Sequence, residues 1–139
     1  MRFNRIALAV SMGLLIATGA ANVQARNPAD EGAKHGIAAK DLKARLDGNQ
    51  KTIIIDARST LTGQMIKGAL HVPSDKLEEW AKTADKSSFI VTYCTCSHDE
   101  AAAEAAKTLR TMGFANAFSL TGGLNAAQTA GIAVVPVGE

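Results

Sequence analysis

The run Phe89-Ile90-Val91-Thr92-Tyr93 constrains this chain more than any other feature, because it ends directly on Cys94 and gives way within a few residues to an alanine-rich stretch. An apolar, β-branched run of this length is a strand, and the alanines that follow predict a helix from about Asp99 to Met112, stopped by Gly113. A second short run, Thr52-Ile53-Ile54-Ile55-Asp56, shows no alternation of polar and apolar residues, as expected of a strand covered on both faces. Two such strands cannot stand alone. They require helices on either side, and so a parallel sheet.

The remaining elements fit that requirement. Ile37, Leu42 and Leu46 fall on helical spacing over Ile37–Leu46, with Gly48 as the stop. Gly68-Ala69-Leu70-His71-Val72-Pro73 predicts a short strand closed by proline, and His71 a residue at its end. Ser74 or Asp75 is placed to cap a helix through Leu77, Trp80 and Ala81, with Trp80 as its core anchor. Ala117-Phe118-Ser119-Leu120 predicts a fourth strand. Gly122-Gly123 then leads into a short helix to Ala130, and Val134 and Val135 add a last strand. Ala102, Ala105, Ala106 and Leu109 give the helix after Cys94 a face of small residues that lets it approach the sheet closely. The fold class is α/β, with a mainly parallel central sheet flanked by helices.

The first 25 residues carry the pattern of an address. Arg2 and Arg5 precede an apolar core from Ile6 to Ile16, and Val23 and Ala25 suit the recognition pockets of signal peptidase. That core is shorter than the ~20 residues needed to span a bilayer. We expect a signal peptide over residues 1–25, a flexible lead-in over 26–36, a single domain over 37–139, and a periplasmic or secreted protein. The chain has 15 basic and 13 acidic side chains; loss of Arg2 and Arg5 leaves the two signs equal. With no basic block left, nucleic acid is excluded as a partner class, as is a membrane after cleavage.

Only two cysteines occur, Cys94 and Cys96. In an oxidising compartment, paired cysteines normally form structural disulfides. A bridge across one intervening residue, however, closes a very short loop, constrains the unfolded chain little and demands strained geometry. Chemistry explains this pair better than stability does.

Taken in order, these segments resemble a single-domain rhodanese of the sulfurtransferase family. Ile53-Ile54-Ile55-Asp56-Ala57-Arg58-Ser59 is similar to the family's early strand with its Asp-x-Arg signature, and Ile66-Lys67-Gly68-Ala69-Leu70-His71-Val72-Pro73 to its I-x-G-A-x-x-x-P segment. Phe89–Cys94 resembles the strand that delivers the catalytic cysteine, while Gly113-Phe114, Leu120-Thr121-Gly122-Gly123-Leu124 and Gly131 resemble the closing pattern. The resemblance implies that backbone N–H groups and a helix N-terminus stabilise a cysteine thiolate. That thiolate takes sulfane sulfur from a donor such as thiosulfate or a persulfide and passes it to a thiol, a cyanide-like acceptor or a protein thiol. No cofactor and no metal are implied.

Strand-end placement carries the catalytic role onto Cys94, with Cys96 as a second thiol; counting back from the helix instead favours Cys96. The loop around them reads Thr95, Ser97, His98, Asp99 and Glu100. Asp99 and Glu100 suit a helix N-terminus but also repel incoming dianions, and His98 adds positive charge only when protonated. Met65 and Ala127 replace a histidine and a tryptophan common in the family, and the loop lacks the arginine of cysteine phosphatases. Asp56 and Arg58 are expected to fix the turn after their strand, and Gly122 and Gly123 to shape a tight turn beside the loop. Three alternatives remain open. One is a thiol–disulfide protein using the cysteine pair, another a metal-binding module of Cys94, Cys96 and His98, and the third a binding domain without turnover.

Overall fold

The computed structural model describes residues 35–95 and 99–138. The predicted signal peptide and most of the lead-in lie outside the described residues, as do Cys96, Ser97 and His98. The elements, in chain order, are β1 (Gly36–Ile37), α1 (Ala39–Asp47), β2 (Ile53–Asp56), β3 (Gln64–Ile66), β4 (Leu70–His71), α2 (Leu77–Thr83), β5 (Ile90–Tyr93), α3 (Glu100–Thr111), β6 (Ala117–Leu120), α4 (Gly123–Thr129) and β7 (Val134–Pro136).

Five strands form one parallel sheet in the order β1-β6-β5-β2-β4. The two apolar runs, β2 and β5, are neighbours inside this sheet, and they are apolar on both sides because both faces are covered. Ile54, Val91 and Tyr93 point into a core with Ile37, Leu42, Leu120 and Leu124, on the side of α1 and α4. Ile55 and Ile90 point the other way, into a core with Leu77, Ala81, Ala105, Leu109 and Phe114, on the side of α2 and α3. The small face of α3 is buried at Ala102, Ala105, Ala106 and Leu109. Thr92 fastens this helix to the sheet, its hydroxyl donating to the Ala102 carbonyl at 2.6 Å.

The structure corrects two sequence expectations. Ile37 is not helical; with Gly36 it forms edge strand β1 against Ser119 and Leu120, and α1 begins only at Ala39. Its apolar side chain matched helical spacing because it is buried in the same core as Leu42. Neither Ser74 nor Asp75 caps α2, which starts one or two residues later than that would require, after Lys76 and without a side-chain cap. Val134 and Val135 do form the expected last strand, which lies outside the main sheet. They pair antiparallel with β3, a strand the sequence did not reveal, in a separate two-stranded sheet. Trp80, half-buried, packs against this core as expected of its helix's anchor, with its ring 6.3 Å from that of Phe114.

Register places the site. Asp56 lies opposite Tyr93 at the carboxyl ends of β2 and β5, and the Ala57 N–H donates to the Tyr93 carbonyl at 2.9 Å. The loops that leave these two strands therefore emerge side by side. In open parallel sheets that edge is where ligands bind.

Candidate functional site

Cys94 is the first residue beyond β5, at the floor of a cavity of about 640 Å³ between the loop after β2 and the start of α3. Ala57, Arg58, Ser59, Thr60 and Thr62 line one wall, Ser74 and Asp75 a second, and Thr95 and Ala101 the remainder. Cys94 itself is only 1 % exposed and is disulfide-bonded in this structure. The chain has one other cysteine, Cys96.

A buried polar network stands directly behind the cysteine. Asp56 is fully buried, and its carboxylate accepts from the Arg58 Nε at 2.8 Å and the Arg58 backbone N–H at 3.1 Å. The Tyr93 hydroxyl donates to Asp56 Oδ2 at 2.8 Å and accepts from the Ile66 N–H at 3.0 Å. Arg58 also donates to the carbonyls of Thr62 at 2.8 Å and Gln64 at 2.9 Å. A buried carboxylate without partners would cost several kcal/mol, so this one organises everything near it. It fixes the turn after β2, pins the cavity-lining loop, and anchors the side chain that immediately precedes Cys94. The hydrogen bond that Arg58 donates to Asp56 raises the Arg58 pKa above its usual value, against an opposing effect of burial. Burial is the main cause that raises the Tyr93 phenol, with the Asp56 carboxylate adding to it. His71, in β4, lies 2.8 Å through Nε2 from the Arg58 carbonyl.

The glycine pair forms the other support. Gly123 has φ +55°, and a Cβ there would lie 2.4 Å from the Cys94 carbonyl oxygen. The backbone of α4 approaches that closely because the Leu124 N–H donates to the same carbonyl at 3.2 Å. Asp99, itself left-handed at φ 53°, precedes α3, and its Oδ2 accepts from the Gly122 N–H at 2.7 Å. Its carboxylate thus ties the start of α3 to the Gly122-Gly123 turn, and neither it nor the exposed Glu100 lines the cavity.

Cys94, Thr95 and Arg58 therefore share one cavity, Asp56 lies behind it, and Asp99, Gly122 and Gly123 brace its floor from below. Sequence reasoning missed the Tyr93 hydroxyl, the hydroxyl-rich segment Ser59–Thr62, and Asp75. Tyr93 read as the last apolar residue of its strand. The one available signal was the position of the Ser-Thr-Leu-Thr stretch straight after Asp56-x-Arg58. Among the described residues no group of three His, Cys, Asp or Glu side chains is placed to hold a metal. No described helix is long and apolar enough to cross a membrane.

Comparison with known proteins gives a consistent picture. The model of the family described as Rhodanese-like domain matches residues 38–130. A crystal structure of the Alr3790 protein from Anabaena sp. is 31% identical, with a TM-score of 0.64, over 74% of this chain and 94% of that one. A full-length protein from Lactobacillus plantarum has a TM-score of 0.68 at 19% identity, over 78% of this chain and 93% of that one. A thiosulfate sulfurtransferase from Pseudomonas aeruginosa shares the fold at 22% identity, with a TM-score of 0.63 over 73% of this chain but only 20% of the other. No curated protein matches.

Proposed function

The chain belongs to the rhodanese-like domain family, and on that premise we propose that it is an exported sulfurtransferase that carries sulfane sulfur as a persulfide on Cys94. The observation that carries this reading is the placement of Cys94 at the carboxyl end of an interior strand, on the floor of a cavity next to the first turn of α3. There the helix dipole favours an anionic sulfur over a thiol. The network behind it makes that position rigid, as the preorganisation of a reactive atom requires.

The disulfide at Cys94 is first opened by a thiol reductant. The Cys94 thiolate then attacks the outer sulfur of the donor. With thiosulfate, the new S–S bond forms as the donor's S–S bond breaks, and sulfite leaves with the bonding pair. A nucleophile such as cyanide or a thiolate next attacks the terminal sulfur of the persulfide, and the Cys94 thiolate returns as leaving group. No electrons are gained or lost overall after the initial reduction. Cys96 is proposed as the second thiol, able to regenerate the disulfide when an oxidant is present. Export is proposed from Arg2, Arg5 and the apolar core Ile6–Ile16, and N-terminal sequencing of protein recovered from the periplasm checks cleavage after Ala25.

The test is thiocyanate formation from cyanide with thiosulfate or a low-molecular-weight persulfide as donor. Turnover that persists in Cys96→Ser and is abolished in Cys94→Ser supports the proposal. The reverse pattern moves the nucleophile to Cys96. A second reading, thiol–disulfide exchange, is favoured by the disulfide at Cys94; a pair that stays reduced throughout the periplasmic range of potentials removes it.

A further inference from the structure

The charges around the cavity carry information that the position of Cys94 does not. Among its described lining residues there is one cation, Arg58, and one anion, Asp75. Arg58 is committed elsewhere: its guanidinium faces the Asp56 carboxylate and the carbonyls of Thr62 and Gln64. Asp75 is not. It is exposed, it does not cap α2, and no hydrogen bond or ion pair joins it to another described residue. The positive end of α3 reaches the cavity at Ala101, but it compensates about half an elementary charge, and Cys94 needs that much when its sulfur is anionic. A dianionic donor such as thiosulfate would add two negative charges beside Asp75 and the resident sulfur anion, with no uncommitted described cation to meet them. The remaining polar wall consists of hydroxyls at Ser59, Thr60, Thr62, Ser74 and Thr95, which solvate a small organic molecule without selecting a charge. A volume near 640 Å³ is also ample for such a molecule.

We infer that this cavity selects small organic persulfides bearing an ammonium group, with Asp75 as the residue that recognises the ammonium and discriminates against anionic donors. The inference rests on the sulfurtransferase reading and adds its substrate class. The step is R–S–SH plus the Cys94 thiolate giving the Cys94 persulfide and R–S⁻. The bond to Cys94 sulfur forms as the R–S–S bond breaks, the departing thiolate keeps the bonding pair, and the proton remains on the transferred sulfur. No oxidant is consumed. Because the ammonium lies on R, Asp75 acts on capture of the donor rather than on the bond that breaks.

The experiment measures how fast the full chain, reduced with a phosphine and then freed of it, gains one sulfur by quenched-flow intact mass. Three donors are compared: 2-aminoethanethiol persulfide, mercaptoacetate persulfide of similar size and opposite charge, and thiosulfate. The amine donor should load faster than the carboxylate donor by about three- to tenfold, the effect expected of one solvent-accessible charge. Asp75→Asn should bring that ratio close to one and Asp75→Lys should invert it; both variants should fold, since the side chain is exposed and makes no described bond. Equal loading of the wild type by amine and carboxylate donors overturns the inference, as does a ratio unmoved by Asp75→Asn and Asp75→Lys. In those two outcomes sulfur still loads, and the sulfurtransferase reading stands. Absence of loading from every donor overturns that reading and this inference together.

Discussion

Tyr93→Phe removes one oxygen from the residue before the cysteine, and the structure fixes what that costs. The hydroxyl donates to the buried Asp56 carboxylate at 2.8 Å and accepts from the Ile66 N–H at 3.0 Å. A hydrogen bond to a charged group contributes about 1.5–3 kcal/mol, and an orphaned buried N–H costs about 1–3 kcal/mol. Asp56 keeps its bonds to Arg58, so its charge stays paired and the larger penalty of an isolated carboxylate does not arise. The expected loss is about 2–4 kcal/mol, a large share of the ~5–15 kcal/mol that holds a domain of this size together. In a thermal melt this lowers Tm by about 10–15 °C. The variant has a second signature. The folded state holds the phenolic proton more tightly than the unfolded chain, in which tyrosine ionises near pH ~10. Tyr93 therefore contributes its full stabilisation below about pH 10 and loses it as pH rises further, because the unfolded chain then binds fewer protons. In urea titrations the gap between wild type and Tyr93→Phe should narrow by about 1 kcal/mol between about pH 8 and about pH 11, since each pH unit above the unfolded pKa removes about 1.4 kcal/mol. A loss under about 0.5 kcal/mol at neutral pH, or parallel pH profiles, refutes the role assigned to this network.

Two further substitutions probe the supports around Cys94. Gly123→Ala places a Cβ 2.4 Å from the Cys94 carbonyl oxygen at a left-handed φ; it should cost about 1–3 kcal/mol and slow sulfur loading of Cys94, read by urea denaturation and by mass. Arg58→Lys keeps the charge but loses the planar fork that joins Asp56 to the carbonyls of Thr62 and Gln64; it should cost about 2–3 kcal/mol and speed proteolysis within Ser59–Thr62, read by limited digestion.

The parallel sheet was legible in the sequence because burial on both faces writes itself as unbroken apolar runs, and β2, β5 and β6 were each located to within a residue or so. Strand β3 was not, since Gln64-Met65-Ile66 is three residues long and buries only Ile66 fully. Its partner β7 was visible as Val134-Val135, but pairing between segments so far apart in the chain leaves no local trace. Ile37 misled because a buried residue next to a helix satisfies helical spacing as readily as one within it. At the site, Cys94 was visible from its position after a strand, and Asp56, Arg58 and the glycine pair from their motifs. Asp75 and the Tyr93 hydroxyl were hidden for different reasons. Asp75 doubled as a plausible cap, and only the late start of α2 leaves it to the cavity. The Tyr93 ring belongs to the core while its oxygen belongs to the Asp56 network, and sequence patterning reads the ring alone.

The central claim is that sulfur is carried on Cys94. Its most direct test is intact-mass and peptide-level analysis of reduced wild type, Cys94→Ser and Cys96→Ser after exposure to a persulfide donor. The account predicts one added sulfur on the peptide containing residue 94, retained in Cys96→Ser and absent in Cys94→Ser. An adduct that survives Cys94→Ser, or no adduct on any of the three proteins, contradicts it.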